Sequence, residues 1–555
     1  MRTLTFALAL SLVGGAALAA ETADTLFWGG PIYTARDDAP KVEAVAVAKG
    51  RIVYAGDRKG AQAYRGSRTK VVDLKGAAMF PGFTDSHAHL RMIGERELSL
   101  NLEGSTSAAD AMSRLRAYLA KSSSTGAVVG GGWIETGWPE GRFLTRQDID
   151  AVAPDRPVLL VRADGHALVA NSAALKAAGI TRDTVSPEGG AILKDTSGEP
   201  TGMLVDNAKA LVQKLQTEPT EADKLVAYRA AFTVETRYGW TGVHNMSVDA
   251  ADVPILEGLA AKGQAPLRVY NFVSASEAGD LLKQGARASA DGRVTTRAIK
   301  LFSDGALGSR GAALFEPYSD AHDTRGALVL QPEELAAVMN AAIKSGIQIG
   351  THAIGDRGNA VTLDLYQAVL DAVPPAERKV AEPRWRIEHS QILRPEDIGR
   401  FAKLGVIASM QPSHAIGDLH FAPARLGESR LSGAYAWKSL LQSGAVIVGG
   451  SDAPVERGDP MIEFYAAVAR KDLKGFSAPD WNAKEALSRT EALKLFTSAA
   501  AYGRFAEDDL GTIAPGKRAD LSVFSVDLMT APEAAIPKAK AVLTIVDGQI
   551  VYDGR

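Results

Sequence analysis

The sequence of 555 residues contains no cysteine. This absence excludes disulfide bonds, thiol nucleophiles, thiolate metal sites and lipid anchors on cysteine. An excess of either charge is also missing, because 62 Lys and Arg stand against 65 Asp and Glu, a formal net charge of −3. Nucleic-acid binding requires a basic patch, so no nucleic-acid partner is expected. The hydrophobic content of 46% is typical of a soluble globular protein.

Residues 1–19 have the pattern of a cleavable export signal. Arg2 precedes an apolar run from Leu4 to Val13, and the small residues Ala17 and Ala19 supply a cleavage site. A membrane anchor is the alternative, but this run has only about half of the roughly 20 residues that cross a bilayer. We expect a mature protein that is secreted or periplasmic, with no stable membrane insertion after signal removal.

Both ends of the mature chain have short alternating segments typical of β-strands. Examples are Val42–Val47 near the start and Val542–Val546 near the end, the latter followed by the hairpin signal Asp547-Gly548. Neither end is long enough to bury a core alone. Residues 20–79 and 506–555 are therefore predicted to form one small composite β-sandwich domain.

Between these ends, residues 80–505 alternate short apolar runs with amphipathic segments such as Pro332–Ser345 and Asn359–Ala372. A repeated βα rhythm indicates a parallel sheet, and eight units favour a closed barrel. The predicted fold class is α/β, a distorted TIM (β/α)8 barrel. The eight runs are Phe80–Thr84, Gly242–His244, Leu267–Phe272, Ala298–Phe302, Ile347–Gly350, Trp385–Ile387, Val406–Ala408 and Ala445–Val448.

Ionisable residues follow these runs, where the catalytic residues of such barrels lie. At about 31 residues per βα unit, the segment from His89 to Lys300 is about 118 residues too long for the strands it contains. This surplus predicts an insertion at about residues 100–225, a lid or substrate cap after the first strand. The candidate residues at strand ends are Asp85, His87, His89, Lys300, His352, His389 and Asp452.

His87 and His89 alternate on a strand end, so both imidazoles lie on the same face. Neutral imidazoles suit a first-row divalent metal, although a pair of surface histidines is the alternative. The further candidate ligands at strand ends favour the metal site. Imidazole and carboxylate without thiolate favour a catalytic zinc-type site, with one or two ions.

Two of these candidates suggest specific chemistry. Burial of Lys300 at a strand end would lower its pKa and free its amine to react with CO2, unless it is a structural lysine paired with Asp304. Asp452 beside a metal-activated water could accept the proton of that water and return it to the leaving group. A helix N-cap is the alternative role for Asp452.

At this point the chain resembles the amidohydrolase superfamily, in its amidohydrolase family 3 branch, from about residue 25 to the end. The resemblance implies hydrolysis of amide-like bonds on one or two divalent metals, with a carboxylated Lys300 as bridge. It implies that His87 and His89 hold the first metal together with Asp452. His352 and His389 would hold the second. The matching motifs are PGFTDSHAH from Pro81, KLFSDGALGSR from Lys300, THAIGD from Thr351, IEHS from Ile387, GSDAP from Gly450 and PGKRADL from Pro515.

Four more residues are candidates for contact with the substrate. His166 and His414 resemble family positions near the substrate, although a hydrogen-bonded structural histidine is the alternative for each. Arg310 could bind a substrate carboxylate or a carbonyl at a helix end. Trp133, with Trp138, could wall an apolar substrate slot or simply pack within the insertion.

The predicted function is an exported metal-dependent amidohydrolase acting on a C–N bond other than a peptide bond. Its small-molecule substrate would be an N-acyl, N-formyl or cyclic amide. A non-hydrolytic reaction at the same site and a periplasmic ligand-binding protein are the alternatives. The ligand set disfavours a pure binder, which needs neither Asp452 nor a bridging Lys300. A homo-oligomer is left open.

Overall fold

The structure is a computed structural model that describes residues 21–121, 126–135, 138–162, 167–187, 190–215, 219–478 and 481–555. The predicted export signal and the candidate His166 lie outside these residues. Among the helices of the described part, none combines the length and the apolar character needed to cross a membrane.

The N-terminal segment passes from a sheet at one end of the molecule into the barrel. We expected one strand over Phe80–Thr84, but the structure divides it at Gly82. The Gly82 N–H donates to the carbonyl of Asp520 at 2.7 Å, and a Cβ on Gly82 would lie 2.2 Å from Thr241 Oγ1. The elements are β1 (Thr25–Tyr33), β2 (Lys41–Ala48), β3 (Arg51–Gly56), α1 (Arg58–Ala61), β4 (Lys70–Asp73), β5 (Ala78–Pro81) and the first barrel strand, β6 (Phe83–Ala88).

The insertion after β6 is a folded unit with its own sheet, in the order β11-β12-β10-β9-β8-β7. Apolar side chains form cores of their own in this unit. The helices at either side of it, α2 and α7, pack against each other beside the barrel. The elements are α2 (Leu90–Leu98), β7 (Leu100–Asn101), α3 (Ala108–Leu119), β8 (Val128–Trp133), α4 (Arg146–Asp150), β9 (Val158–Arg162), β10 (Ala167–Ala170), α5 (Ser172–Ala178), β11 (Gly190–Lys194), β12 (Pro200–Asp206), α6 (Ala210–Gln213) and α7 (Glu221–Tyr238).

The middle of the chain forms the predicted (β/α)8 barrel. Its parallel strands follow the order β20-β19-β18-β17-β16-β14-β13-β6, and each predicted apolar run contributes to one of them. The elements are β13 (Trp240–Val248), α8 (Val253–Ala261), β14 (Arg268–Ser274), α9 (Gly279–Gln284), β15 (Arg287–Ala288), β16 (Val294–Phe302), α10 (Pro332–Ser345), β17 (Gln348–Ala353), α11 (Asp356–Ala372), β18 (Arg386–His389), α12 (Pro395–Leu404), β19 (Ile407–Met410), α13 (Pro412–Asp418), α14 (Ala422–Leu426), α15 (Trp437–Gln442), β20 (Ile447–Gly449), α16 (Pro460–Ala469), α17 (Arg489–Phe496) and α18 (Ser498–Gly503).

The end of the first barrel strand is joined to the segment that follows the last one. The Ser451 N–H donates to Asp85 Oδ1 at 2.9 Å, and the Asp452 N–H donates to the carbonyl of His87 at 2.7 Å. The His89 N–H donates in turn to the carbonyl of Ala453 at 2.8 Å. These bonds hold the polar residues of the first and eighth strand ends next to one another.

The chain ends in the sheet in which it began. This 8-stranded sheet has the order β23-β22-β21-β5-β1-β2-β3, with β4 beside β1. It is tied to the barrel by Arg268 at the start of β14, whose guanidinium pairs with Asp520 at 2.6 Å and with Asp547. The last strands are β21 (Leu521–Phe524), β22 (Ala541–Val546) and β23 (Gln549–Asp553).

Helix α7 contains a buried carboxyl group, Glu235, which is expected to make the stability of the protein depend on pH. Both carboxyl oxygens of Glu235 are buried, with no hydrogen-bond partner among the residues that the structure describes, and burial raises the pKa of this group well above its usual value. Because the folded-state pKa lies above the unfolded one, stability falls as the pH rises through the folded-state pKa. In pH-dependent urea unfolding, Glu235→Gln should lose less stability on the alkaline side than wild type. The exposed control Glu377→Gln should match wild type, and equal alkaline loss in Glu235→Gln would contradict this reading.

Candidate active site

The ends of the first and eighth barrel strands place two histidines next to the carboxylate of Asp452. His87 lies on β6 and His89 directly follows that strand. Their Nε2 atoms lie 3.5 Å and 3.2 Å from Asp452 Oδ1. Asp452 has a φ of 60°, a left-handed conformation that aspartate adopts more readily than most residues and that is enriched at functional sites.

The ends of β16, β17 and β18 complete this cluster with Lys300, His352 and His389. Lys300 Nζ lies 3.4 Å from His87 Nε2. The ring centroid of His389 is 4.9 Å from that of His87 and 4.5 Å from that of His352. The structure therefore brings together all six residues predicted as metal ligands, at the carboxyl edge of the barrel.

The electrostatics of the cluster favour neutral imidazoles beside an ionised carboxylate. Burial lowers the pKa of His87 to about 4 and that of His352 to about 3. Burial opposes the ionisation of Asp452, but the neighbouring histidines hold its pKa well below the usual value. Burial also lowers the pKa of Lys300 to about 8, so about a tenth of the amine is uncharged at pH 7, far more than for an exposed lysine.

Sequence analysis missed a buried ion pair that orients His87. Glu388 Oε2 lies 2.7 Å from His87 Nδ1, and Arg386 Nη2 donates to the same carboxylate oxygen at 2.9 Å. Both side chains are fully buried inside the barrel. The signal was present: Arg386 and Glu388 are charged residues at alternate positions of the short strand β18, so both project from one face.

In two of the histidines, one ring nitrogen is hydrogen-bonded, and this leaves the other nitrogen free to bind a metal. His87 Nδ1 is engaged by Glu388, and His389 Nδ1 lies 2.7 Å from Gln411 Oε1. Each ring thus keeps Nε2 available as a ligand, an arrangement found for metal-binding histidines in general. In both rings the free nitrogen is the one left for the centre of the cluster.

The residues present fit a divalent metal. His87, His389 and Asp452 each offer a ligand atom, and these atoms lie within 4.8 Å of one another. Neutral imidazole nitrogens and a carboxylate oxygen are the donors that zinc accepts in catalytic sites. His89 and Asp452 could hold an ion with His87, while His352 and His389 could hold a second.

Loss of the charge on Glu388 is expected to weaken metal binding. Glu388→Gln keeps the size of the side chain but removes the anion that Arg386 and His87 share. Partners of this kind are worth about 10–100-fold in metal affinity, so competition with a chelator should show a loss of that order. The exposed control Glu396→Gln, on α12, should keep wild-type affinity. Unchanged affinity in Glu388→Gln would show that packing alone orients His87.

Two of the residues predicted to contact the substrate, His414 and Arg310, have different surroundings in the structure. His414 Nε2 lies 3.6 Å from Asp452 Oδ2, and its ring stacks on His389 at 5.8 Å, so it belongs to the cluster. Arg310 donates to Asp320 through Nε, 3.1 Å from Oδ1, and through Nη2, 3.0 Å from Oδ2. A role for Arg310 in binding a substrate carboxylate stays a prediction.

Trp133 does not line a substrate slot. Its side chain is fully buried in the core of the insertion beside Trp138, and its Nε1 donates to the carbonyl of Leu160 at 2.9 Å. The alternative of packing within the insertion is therefore correct. His166, the remaining candidate, lies outside the described residues.

The structural alternative for Lys300 also lacks support. Asp304 is occupied elsewhere: its carboxylate accepts the backbone N–H groups of Ala313, Ile354 and Gly355 at 2.8 to 2.9 Å. It lies 3.7 Å from His352 Nε2. Among the described residues, no carboxylate oxygen lies within ion-pair distance of the Lys300 amine, so this amine faces the histidine cluster without a fixed counter-ion.

Comparisons with known proteins agree with this geometry. A model of the "Amidohydrolase family" matches residues 70–552. The Bacillus subtilis (strain 168) protein named amidohydrolase YtcJ is 36% identical over 95% of this chain and 99% of its own length. An N-substituted formamide deformylase of Arthrobacter pascens is 27% identical over 92% of this chain and 95% of its own. The crystal structure of an uncharacterized metal-dependent hydrolase from Pyrococcus horikoshii OT3 superposes with a TM-score of 0.75 at 29% identity, covering 92% of this chain and 99% of that one.

Proposed function

Because the chain belongs to the amidohydrolase family, we propose that it hydrolyses an amide-type C–N bond in a small molecule, as an exported enzyme. The observation that carries the proposal is the convergence of His87, His389 and Asp452 at the carboxyl edge of the barrel. The substrate class is an N-acyl, N-formyl or cyclic amide. The N-formyl group has additional support from the similarity to the formamide deformylase.

Asp452 is the residue proposed to move the proton. A divalent ion, with zinc favoured by the donor set, would supply Lewis-acid polarisation of the amide carbonyl and the attacking water. The Asp452 carboxylate takes the proton of the water as its oxygen attacks the carbonyl carbon. It then gives that proton to the amine nitrogen as the C–N bond breaks. The low pKa of Asp452 keeps the carboxylate ionised before the reaction.

We further propose that Lys300 is carboxylated. Its uncharged amine would attack the carbon of CO2, forming a carbamate and releasing one proton. Two observations support this reaction: the lowered pKa of Lys300 and the position of Nζ beside His87. The carbamate would replace a cationic head group by an anionic ligand that two ions could share.

The proposal is tested with the purified mature protein, which should be recovered from an extracytoplasmic fraction with its first residue at about position 20. Bound metal is measured, and turnover is followed on N-acyl amino acids, formamides and cyclic amides. His87→Ala and His389→Ala should lose both metal and activity while keeping the circular dichroism of the wild type, because strand-end ligands carry chemistry rather than packing. Failure to cleave any amide, or wild-type metal content in both variants, would contradict the proposal.

A further inference from the structure

In the part of the chain that the structure describes, three arginine side chains are at most 2% exposed, and two of these have a carboxylate partner. Arg268 pairs with Asp520 at 2.6 Å, and Arg386 pairs with Glu388 at 2.8 Å. Arg470 ends helix α16 and is 1% exposed. In the described part of the chain, no carboxylate oxygen lies within 4.0 Å of its guanidinium nitrogens. Its positive charge is therefore uncompensated at contact distance.

The guanidinium of Arg470 has hydrogen-bonding capacity to spare. Nη1 donates to the carbonyl of Tyr435 at 3.0 Å, but Nε and Nη2 are buried and have no acceptor among the described residues. Glu485 acts on the charge of Arg470 from a distance, and its two oxygens are engaged by the N–H and hydroxyl of Ser439. Burial accordingly lowers the pKa of Arg470 to about 10.

Two tryptophans beside Arg470 also carry buried N–H groups that lack an acceptor in the described part of the chain. The guanidinium carbon lies 4.6 Å from the ring centroid of Trp437 and 5.8 Å from that of Trp481. Both indoles are at most 2% exposed, and neither Nε1–H finds an acceptor within the described ranges. By contrast, the buried Trp133 donates its Nε1–H to a carbonyl. In the described part of the chain, Arg470 Nε and Nη2 and the two indole Nε1 atoms thus lack an acceptor, whereas Arg470 Nη1 has one.

Buried donors without acceptors are rare in native proteins, and each such group calls for a partner. A water molecule accepts hydrogen bonds but brings two donors of its own, which would need acceptors here. A monovalent anion only accepts, and it also offsets the charge of the guanidinium. An acceptor-only, negatively charged species therefore suits these donors better than water does.

We propose that Arg470, Trp437 and Trp481 form a buried binding site for a chloride-sized monovalent anion. These residues come from the end of α16, the start of α15 and the segment after residue 480, so the anion would join three separate parts of the chain. Their neighbour Tyr435 donates its N–H to the carbonyl of Gln391 at 2.7 Å, two residues beyond His389. Through this hydrogen bond the site is linked to the segment that directly follows His389.

A ligand that binds only the folded state raises the melting temperature with its concentration. Thermal unfolding is measured in sodium chloride, in sodium bromide and, at equal ionic strength, in sodium gluconate, whose anion is too large to enter. Chloride and bromide should raise Tm above the gluconate value, with saturation. Trp481→Phe removes one donor and keeps an aromatic ring, so it should reduce this difference. The matched control Trp133→Phe removes an indole whose N–H is already satisfied and should keep the full difference.

Crystals grown in sodium bromide locate the anion directly. We expect an anomalous bromide peak within hydrogen-bond distance of Arg470 Nε or Nη2. In crystals of Trp481→Phe this peak should be absent or show reduced occupancy. Equal Tm values in halide and gluconate, an equal loss of the difference in Trp133→Phe, or density at Arg470 without an anomalous signal would each overturn the proposal.

Discussion

The Asp452→Asn variant is expected to turn over substrate about 10²–10⁴-fold more slowly than wild type, because general acid–base catalysis contributes about that factor. The amide has nearly the same shape as the carboxylate and keeps one oxygen between His87 and His89. It cannot accept a proton, however. The loss should therefore appear in kcat, while metal measured on the same preparation is largely retained.

An aspartate outside the cluster provides the comparison. Asp364 on α11 is 70% exposed in its side chain, and Asp364→Asn should keep the wild-type kcat and metal content. Normal turnover of Asp452→Asn across the pH range would refute the proton-transfer role. A loss of metal as large as the loss of kcat would show that Asp452 acts only as a metal ligand.

The Lys300→Ala variant should fail in a different way, by binding less metal. It removes the amine that the proposed carbamate needs, and the side chain it removes is 1% exposed at the centre of the histidine cluster. We expect a lower metal stoichiometry and a large loss of activity. Added formate or acetate should restore part of the activity, because a short carboxylate can occupy the space of the missing carbamate.

A direct readout separates the carbamate from a structural lysine. Wild-type protein prepared in ¹³C-labelled bicarbonate should show a carbamate carbon signal by NMR, and Lys300→Ala should lack it. The exposed control Lys344→Ala, on α10, should keep the signal, the metal and the rate. Full metal content and full rate in Lys300→Ala would identify Lys300 as a buried structural lysine.

Local periodicity was sufficient to predict the barrel and the residues at its carboxyl edge. Each predicted apolar run contributes to a barrel strand, and the amphipathic segment Pro332–Ser345 is helix α10 with the same bounds. Burial on both faces makes parallel strands apolar, and catalytic residues follow strand ends in this fold. His352 and His389 could therefore be placed at neighbouring strand ends without any coordinates.

The positions that sequence reasoning missed depend on contacts between distant parts of the chain. Nothing near Gly82 in sequence shows that Thr241 leaves no room for a side chain there. Trp133 sits in a glycine-rich segment, and only the sheet of the insertion determines that its indole points inward. Periodicity places a residue on a face, but it does not say which side chain from another strand meets it.

The sequence by itself determined the fold class, the existence of an insertion and the set of candidate ligands, because these follow from hydrophobic pattern and strand order. Only the tertiary structure decided that Glu388 and Arg386 orient His87, and that Arg470 has no carboxylate partner in the described part of the chain. The physical reason is that hydrogen bonding and charge compensation act over a few ångströms between side chains. Which side chains come that close is settled by the closing of the barrel and the packing of its helices.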